Sequence, residues 1–150
     1  MGSSIRKPAI LVVEDNAALL GTLVRMLSGV GGETLAAQTA VDALALVRLR
    51  QGAFDLAIVD IVMPGVSGLD LGTDLDREYP ELKILYISGY VHSVAADALA
   101  RRTPDRMLLK PFTRRELVER VRLLLDSPSR RGPGQAADSP FPEVGTGTLG

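Results

Sequence analysis

The sequence predicts an α/β protein: a doubly wound, five-stranded parallel sheet with helices on both faces. Two observations point there. Short aliphatic runs alternate five times with segments whose apolar residues recur at helical spacing, and right-handed crossovers turn such an alternation into a parallel sheet covered on both sides. Four of the five runs also stop at a polar or charged residue, and the carboxyl ends of the strands are where sheets of this kind bind ligands.

The elements follow in order. Ala9 to Val13 is aliphatic throughout and rich in β-branched residues, as a strand buried on both faces would be, and it stops at Glu14-Asp15. From Ala17 to about Ser28, Leu20, Leu23, Val24 and Leu27 fall on one helical face, and Gly29, Gly31 and Gly32 end the run. Thr34 to Ala37 reads as a second strand. Thr39, three residues before Asp42, opens a second helix that buries Ala43, Leu44 and Val47 and stops at Gln51-Gly52.

Asp55 to Asp60 is the third strand. A loop with Pro64, Gly65 and Gly68 leads into a helix carrying Leu71 and Leu75, closed by Pro80. Lys83 to Ile87 is the fourth strand, Val91 to Arg101 a short fourth helix, and Arg106 to Leu109 the fifth strand. Thr113 and Glu116 form a capping box before a last helix with Leu117, Val121, Leu124 and Leu125 on one face. Residues 1–7 read as an N-terminal extension and 8–126 as the folded domain. Residues 127–150, rich in Pro, Gly, Ser and Arg, read as a flexible tail.

Composition narrows the function. The 150 residues suit one domain, and 46% hydrophobic content is enough for a core. With 17 basic and 18 acidic side chains, no broad field attracts nucleic acid or an anionic membrane. The absence of cysteine excludes disulfides and thiolate metal sites and fits a reducing compartment, so a cytoplasmic location is expected. No apolar run reaches the roughly 18 residues needed to cross a bilayer, so no membrane partner is expected.

The strand ends carry the chemistry. Glu14-Asp15, Asp60, Ser88 and Lys110 terminate strands one, three, four and five, and adjacent parallel strands bring them into one crevice. Three carboxylates there repel one another unless a cation settles among them. Mg²⁺ suits hard oxygen ligands beside a phosphate, whereas zinc would call for His or Cys. With the acids neutralised, Asp60 can attack phosphorus while Lys110 and the Ser88 hydroxyl hold the transferred oxygens.

Four segments bear a family resemblance: Val12-Val-Glu-Asp-Asn16, Val59-Asp-Ile-Val-Met-Pro-Gly-Val-Ser-Gly68, Tyr86-Ile-Ser-Gly-Tyr90 and Leu109-Lys-Pro-Phe-Thr113. Together they resemble the receiver domains of two-component signalling over about residues 8 to 126. The resemblance implies the flavodoxin-like strand order 2-1-3-4-5 and phosphorylation of Asp60, in a Mg²⁺-dependent reaction that the domain itself catalyses. The donor would be a phosphohistidine on a sensor histidine kinase or phosphotransfer protein. Mg²⁺ would be held directly by Asp15, Asp60 and the backbone carbonyl of Val62, and by Glu14 through water. Ser88 would be the switch hydroxyl and Lys110 the phosphate-contacting lysine, aimed inward by a cis bond to Pro111.

Such domains change a partner-binding surface formed by helix four, strand five and helix five, through which homodimerisation is also an expectation. One departure stands out. Receivers commonly carry Tyr or Phe three residues before the lysine, where this chain has Met107. Tyr90 offers a substitute that could cover the site and exclude water. His92 is read as an exposed or capping residue rather than a donor, and Tyr79 and Phe112 as packing residues.

Other functions compete. A phosphatase with an aspartyl nucleophile of the haloacid-dehalogenase type would want a second acid two residues after Asp60, where Val62 stands. Dinucleotide-binding and phosphate-loop proteins would need glycine-rich turns after strand one, where Glu14-Asp-Asn16 stands. A phosphorylation-independent pseudo-receiver acting as an interaction module is the remaining alternative, although such domains usually lack an acid, the acceptor or the lysine.

Overall fold

The computed structural model describes residues 7–89 and 94–128. Its elements are β1 (Ala9–Val13), α1 (Ala17–Leu27), β2 (Glu33–Ala37), α2 (Ala40–Leu49), β3 (Leu56–Asp60), α3 (Gly68–Glu78), β4 (Lys83–Ser88), α4 (Val94–Arg102), β5 (Met107–Leu109) and α5 (Arg114–Asp126). The sheet is parallel with order β2-β1-β3-β4-β5, as expected. The extension before Lys7, most of the tail, Tyr90 and His92 lie outside the described residues.

Strand content explains why the sheet is buried on both faces. In β3 all five residues are buried, and alternate side chains feed two separate apolar layers. One layer joins Leu11, Val59, Leu71, Leu75, Ile84 and Met107 beneath α2, α3 and α4. The other joins Ile10, Val12, Leu23, Leu27, Ile58, Leu85, Leu117 and Val121 beneath α1 and α5. Full burial of a side chain such as Leu23 stabilises the fold by about 1.5–3 kcal/mol.

Local signals set the helix ends. Asn16 accepts from the Leu19 N–H at 3.0 Å and starts α1, Thr39 caps α2, and Ser67 caps α3. The capping box before α5 forms in full: Thr113 Oγ1 accepts from Glu116 N–H at 3.1 Å while Glu116 reaches back to the Thr113 N–H. Several boundaries differ from the sequence reading by one residue: β2 starts at Glu33, β3 at Leu56, β4 runs on to Ser88, α4 ends at Arg102, and Arg106 belongs to a 3₁₀ turn, so β5 starts at Met107. The start expected for α4 at Val91 lies outside the described residues. An edge strand needs only one partner, and three residues are enough to pair with β4.

The packing assignments of Tyr79 and Phe112 hold. The Tyr79 ring lies against Gly52, whose φ of +75° favours glycine, and Phe112 packs on the layer under α1 and α5. Leu44 is only partly buried, unlike Ala43 and Val47, because it flanks the inner face of α2 instead of lying at its centre.

Candidate functional site at the carboxyl edge of the sheet

Register brings the site together. Val13 pairs with Val59, which puts Glu14 level with Asp60 at the ends of β1 and β3. The Glu14 N–H donates to the Ala37 carbonyl at 3.1 Å, tying the end of β1 to β2. On the other side the Lys110 N–H donates to the Ser88 carbonyl at 2.8 Å, fixing the residue after β5 against the end of β4. The Lys110-Pro111 peptide is cis.

Carboxylate oxygens of Glu14, Asp15 and Asp60 lie within 4.8 Å of one another. Glu14 and Asp60 are buried at 2% and 4% exposure, whereas Asp15 is open to solvent. Asp60 is well held: Oδ1 accepts from the Val62 N–H at 3.0 Å and Oδ2 from the Lys110 ammonium at 2.9 Å. Glu14 is not, because its Oε2 is buried with no hydrogen-bond partner and the Lys110 ammonium stands 3.9 Å away, outside hydrogen-bonding range.

The electrostatics follow from that asymmetry. Burial, then the hydrogen bond and charge of Asp60, push Glu14 up from 4.5 to about 8. Burial works against the Asp60 carboxylate as well, but hydrogen bonds from Glu14, Lys110 and the Val62 N–H outweigh it and hold Asp60 below its ordinary value. Of the two buried acids, Glu14 is therefore the one that holds a proton more readily.

An orphaned buried oxygen in an all-carboxylate cluster, with one acid facing solvent, fits a hard divalent cation such as Mg²⁺. Ser88 is buried at the end of β4, and its hydroxyl donates only a long 3.3 Å bond to the Gly89 carbonyl, leaving it with a weak partner at the mouth of the site. All the expected site residues therefore meet at one edge. Val62 enters through its N–H, a contact separate from the carbonyl role expected for it.

Gly68 is a residue whose part the sequence did not reveal. A Cβ there would run into the Asp60 backbone carbonyl, and the Gly68 N–H donates to the Ile61 carbonyl at 3.0 Å. Glycine lets the start of α3 press against the residue that carries the acceptor carboxylate. Met107 fills the expected aromatic position as a buried core residue paired with Tyr86 of β4, whose ring covers Gly72 of α3.

Comparison with known proteins agrees with this architecture. The model of the response regulator receiver domain matches residues 10–122, and the chain belongs to that family, whose members act in the signal transduction of two-component phosphorelays. It is 33% identical over 121 residues to the sensor kinase CckA of Brucella abortus, covering 78% of this chain and 12% of that protein. It is 35% identical over 141 residues to the DNA-binding transcriptional regulator NtrC of Azospirillum brasilense, covering 91% and 29%. The chain thus spans well under half the length of these two relatives. Among solved structures, the CheY-like receiver domain protein of Methanospirillum hungatei superimposes with a TM-score of 0.69 at 29% identity, covering 79% of this chain and 94% of that one.

Proposed function

We propose that this receiver takes a phosphoryl group from a phosphohistidine donor onto Asp60, in a Mg²⁺-dependent reaction, and thereby alters a partner-binding surface. The observation that carries the reading is the pairing of an acidic cluster, open to solvent at Asp15, with a lysine fixed 2.9 Å from the central carboxylate. Asp60 is the nucleophile: one of its oxygens forms the new bond to phosphorus as the bond from phosphorus to the donor imidazole breaks.

Lys110, held by its backbone bond to Ser88, is placed to move from the carboxylate to the transferred phosphoryl oxygens. The Ser88 hydroxyl, weakly engaged with Gly89, is free to turn toward the same oxygens. Glu14, Asp15, Asp60 and the Val62 carbonyl would hold the Mg²⁺, which when bound neutralises the acids and the charge on the phosphoryl group. The donor would be a sensor histidine kinase or phosphotransfer protein. The output surface would be the face of α4, β5 and α5, where Leu109 is 64% exposed.

Intact mass after incubation with acetyl phosphate and Mg²⁺ tests this. One phosphate-sized gain, absent in Asp60→Asn and after chelation, is expected. No gain from acetyl phosphate or from a phosphorylated histidine phosphotransfer protein, in folded chain that binds Mg²⁺, would overturn phosphoacceptance in favour of the interaction-module reading.

A further inference from the structure

Helix α2 is apolar on two opposite sides. Ala43 and Val47 face the core, while Val41, Ala45 and Leu49, spaced one turn apart, run along the outward crest. Val41 is 71% and Leu49 81% exposed, the highest values among the large hydrophobic side chains of the described residues. A helix with one side on the core normally turns polar residues outward, so burial in this fold does not account for the crest.

The crest is self-complementary. Val41 lies as far before Ala45 as Leu49 lies after it, and Asp42 lies as far before Ala45 as Arg48 lies after it. A two-fold axis through Ala45 with the helices antiparallel therefore sets Val41 against Leu49 and Asp42 beside Arg48, twice over. An acid in the first turn and a base in the last also suit the helix dipole, but that accounts for the charges alone and not for the apolar stripe between them. Small Ala45 at the centre permits close approach.

We propose that α2 is the contact face of a two-fold homodimer of this chain, with the Val41-Ala45-Leu49 crests laid antiparallel and Asp42 paired with Arg48 of the second copy at both ends. Arg48 already donates to Glu78 of α3 at 3.2 Å, and its guanidinium has donors enough to keep that exposed bond while meeting Asp42. The face is only one helix wide, short of the roughly 1,200 Å² that stable complexes bury, so the dimer is a concentration-dependent one. It leaves the β5 edge, at the far end of the sheet from β2, open to another partner. The dimer does not depend on phosphorylation of Asp60.

Sedimentation velocity of the full chain, up to about 1 mM, tests the proposal. A monomer–dimer equilibrium is expected, weakened roughly tenfold or more by Ala45→Arg, which sets two like charges on the axis, and by Asp42→Arg or Arg48→Asp alone. The double variant Asp42→Arg with Arg48→Asp restores dimerisation, and Leu109→Asp leaves it unchanged. Circular dichroism confirms that each variant is folded. A chain that stays monomeric throughout, a dimer indifferent to Ala45→Arg, or one lost in Leu109→Asp overturns the proposal.

Discussion

The Lys110 ammonium donates to Asp60 Oδ2 at 2.9 Å while standing 3.9 Å from Glu14 Oε2, so one cation faces two buried carboxylates and satisfies only one of them. Removing it leaves Asp60 with the Val62 N–H and the Glu14 proton as its remaining partners. Lys110→Met should destabilise the metal-free protein by about 1–3 kcal/mol, because a buried carboxylate loses its ionic partner at a site partly open to water. Urea unfolding in the presence of chelator measures this, and equal midpoints for the two proteins would refute it. Phosphorylation of the variant by acetyl phosphate should fall at least about tenfold, because no ammonium then meets the phosphoryl oxygens.

The state of Glu14 predicts how metal-free stability depends on pH. Its folded value, about 8, lies above the ordinary 4.5, so between those values the folded chain holds a proton that the unfolded chain has released. Stability then falls as pH rises through that window, by the linkage relation. Asp60, held below 3.8, works in the opposite sense and only at more acid pH. Thermal melts in chelator should show the decline, Glu14→Gln should flatten it, and added Mg²⁺ should raise the melting temperature most near the alkaline end.

Two glycines should respond in opposite ways to alanine. At Gly68 a Cβ meets the Asp60 carbonyl, so Gly68→Ala should cost about 1–3 kcal/mol and slow phosphorylation by displacing the acceptor. At Gly21, inside α1, a Cβ meets only the end of the Arg25 side chain at 3.5 Å, and Gly21→Ala should stabilise by roughly 0.5–1 kcal/mol. Chemical denaturation of both variants decides; a neutral Gly68→Ala would mean that α3 can retreat without cost.

Thr113 closes the capping box of α5 three residues after Lys110. Thr113→Ala should lower stability by about 1 kcal/mol through lost hydrogen bonds to the first turn. Because the cap is exposed and Lys110 is fixed independently by Ser88, Mg²⁺ affinity should not change. Calorimetric titration with Mg²⁺ beside a denaturant curve separates the two effects.

Much of this was legible in the sequence. The aliphatic runs at Ala9 to Val13 and Leu56 to Asp60 can satisfy their backbone and bury both faces only inside a parallel sheet, and the caps at Thr39 and Thr113 declare helix starts by local chemistry. Placing Glu14, Asp15, Asp60, Ser88 and Lys110 at strand ends required only these two runs and the shorter ones that form strands four and five. The Tyr90 cover proposed from the motif and the reading of His92 concern residues outside those described.

What the sequence could not decide is which oxygen finds a partner. That Asp60 is satisfied by the Val62 N–H and Lys110 while Glu14 Oε2 is left bare depends on register and on differences of about an ångström between strand ends. The need for glycine at position 68 depends in the same way on how closely α3 approaches β3, and the outward crest of α2 on which side of that helix the sheet claims. Hydrophobic pattern and capping act over a few residues and fix which elements form. Hydrogen-bond satisfaction and steric fit act between residues distant in the chain, and only the folded chain brings those into contact.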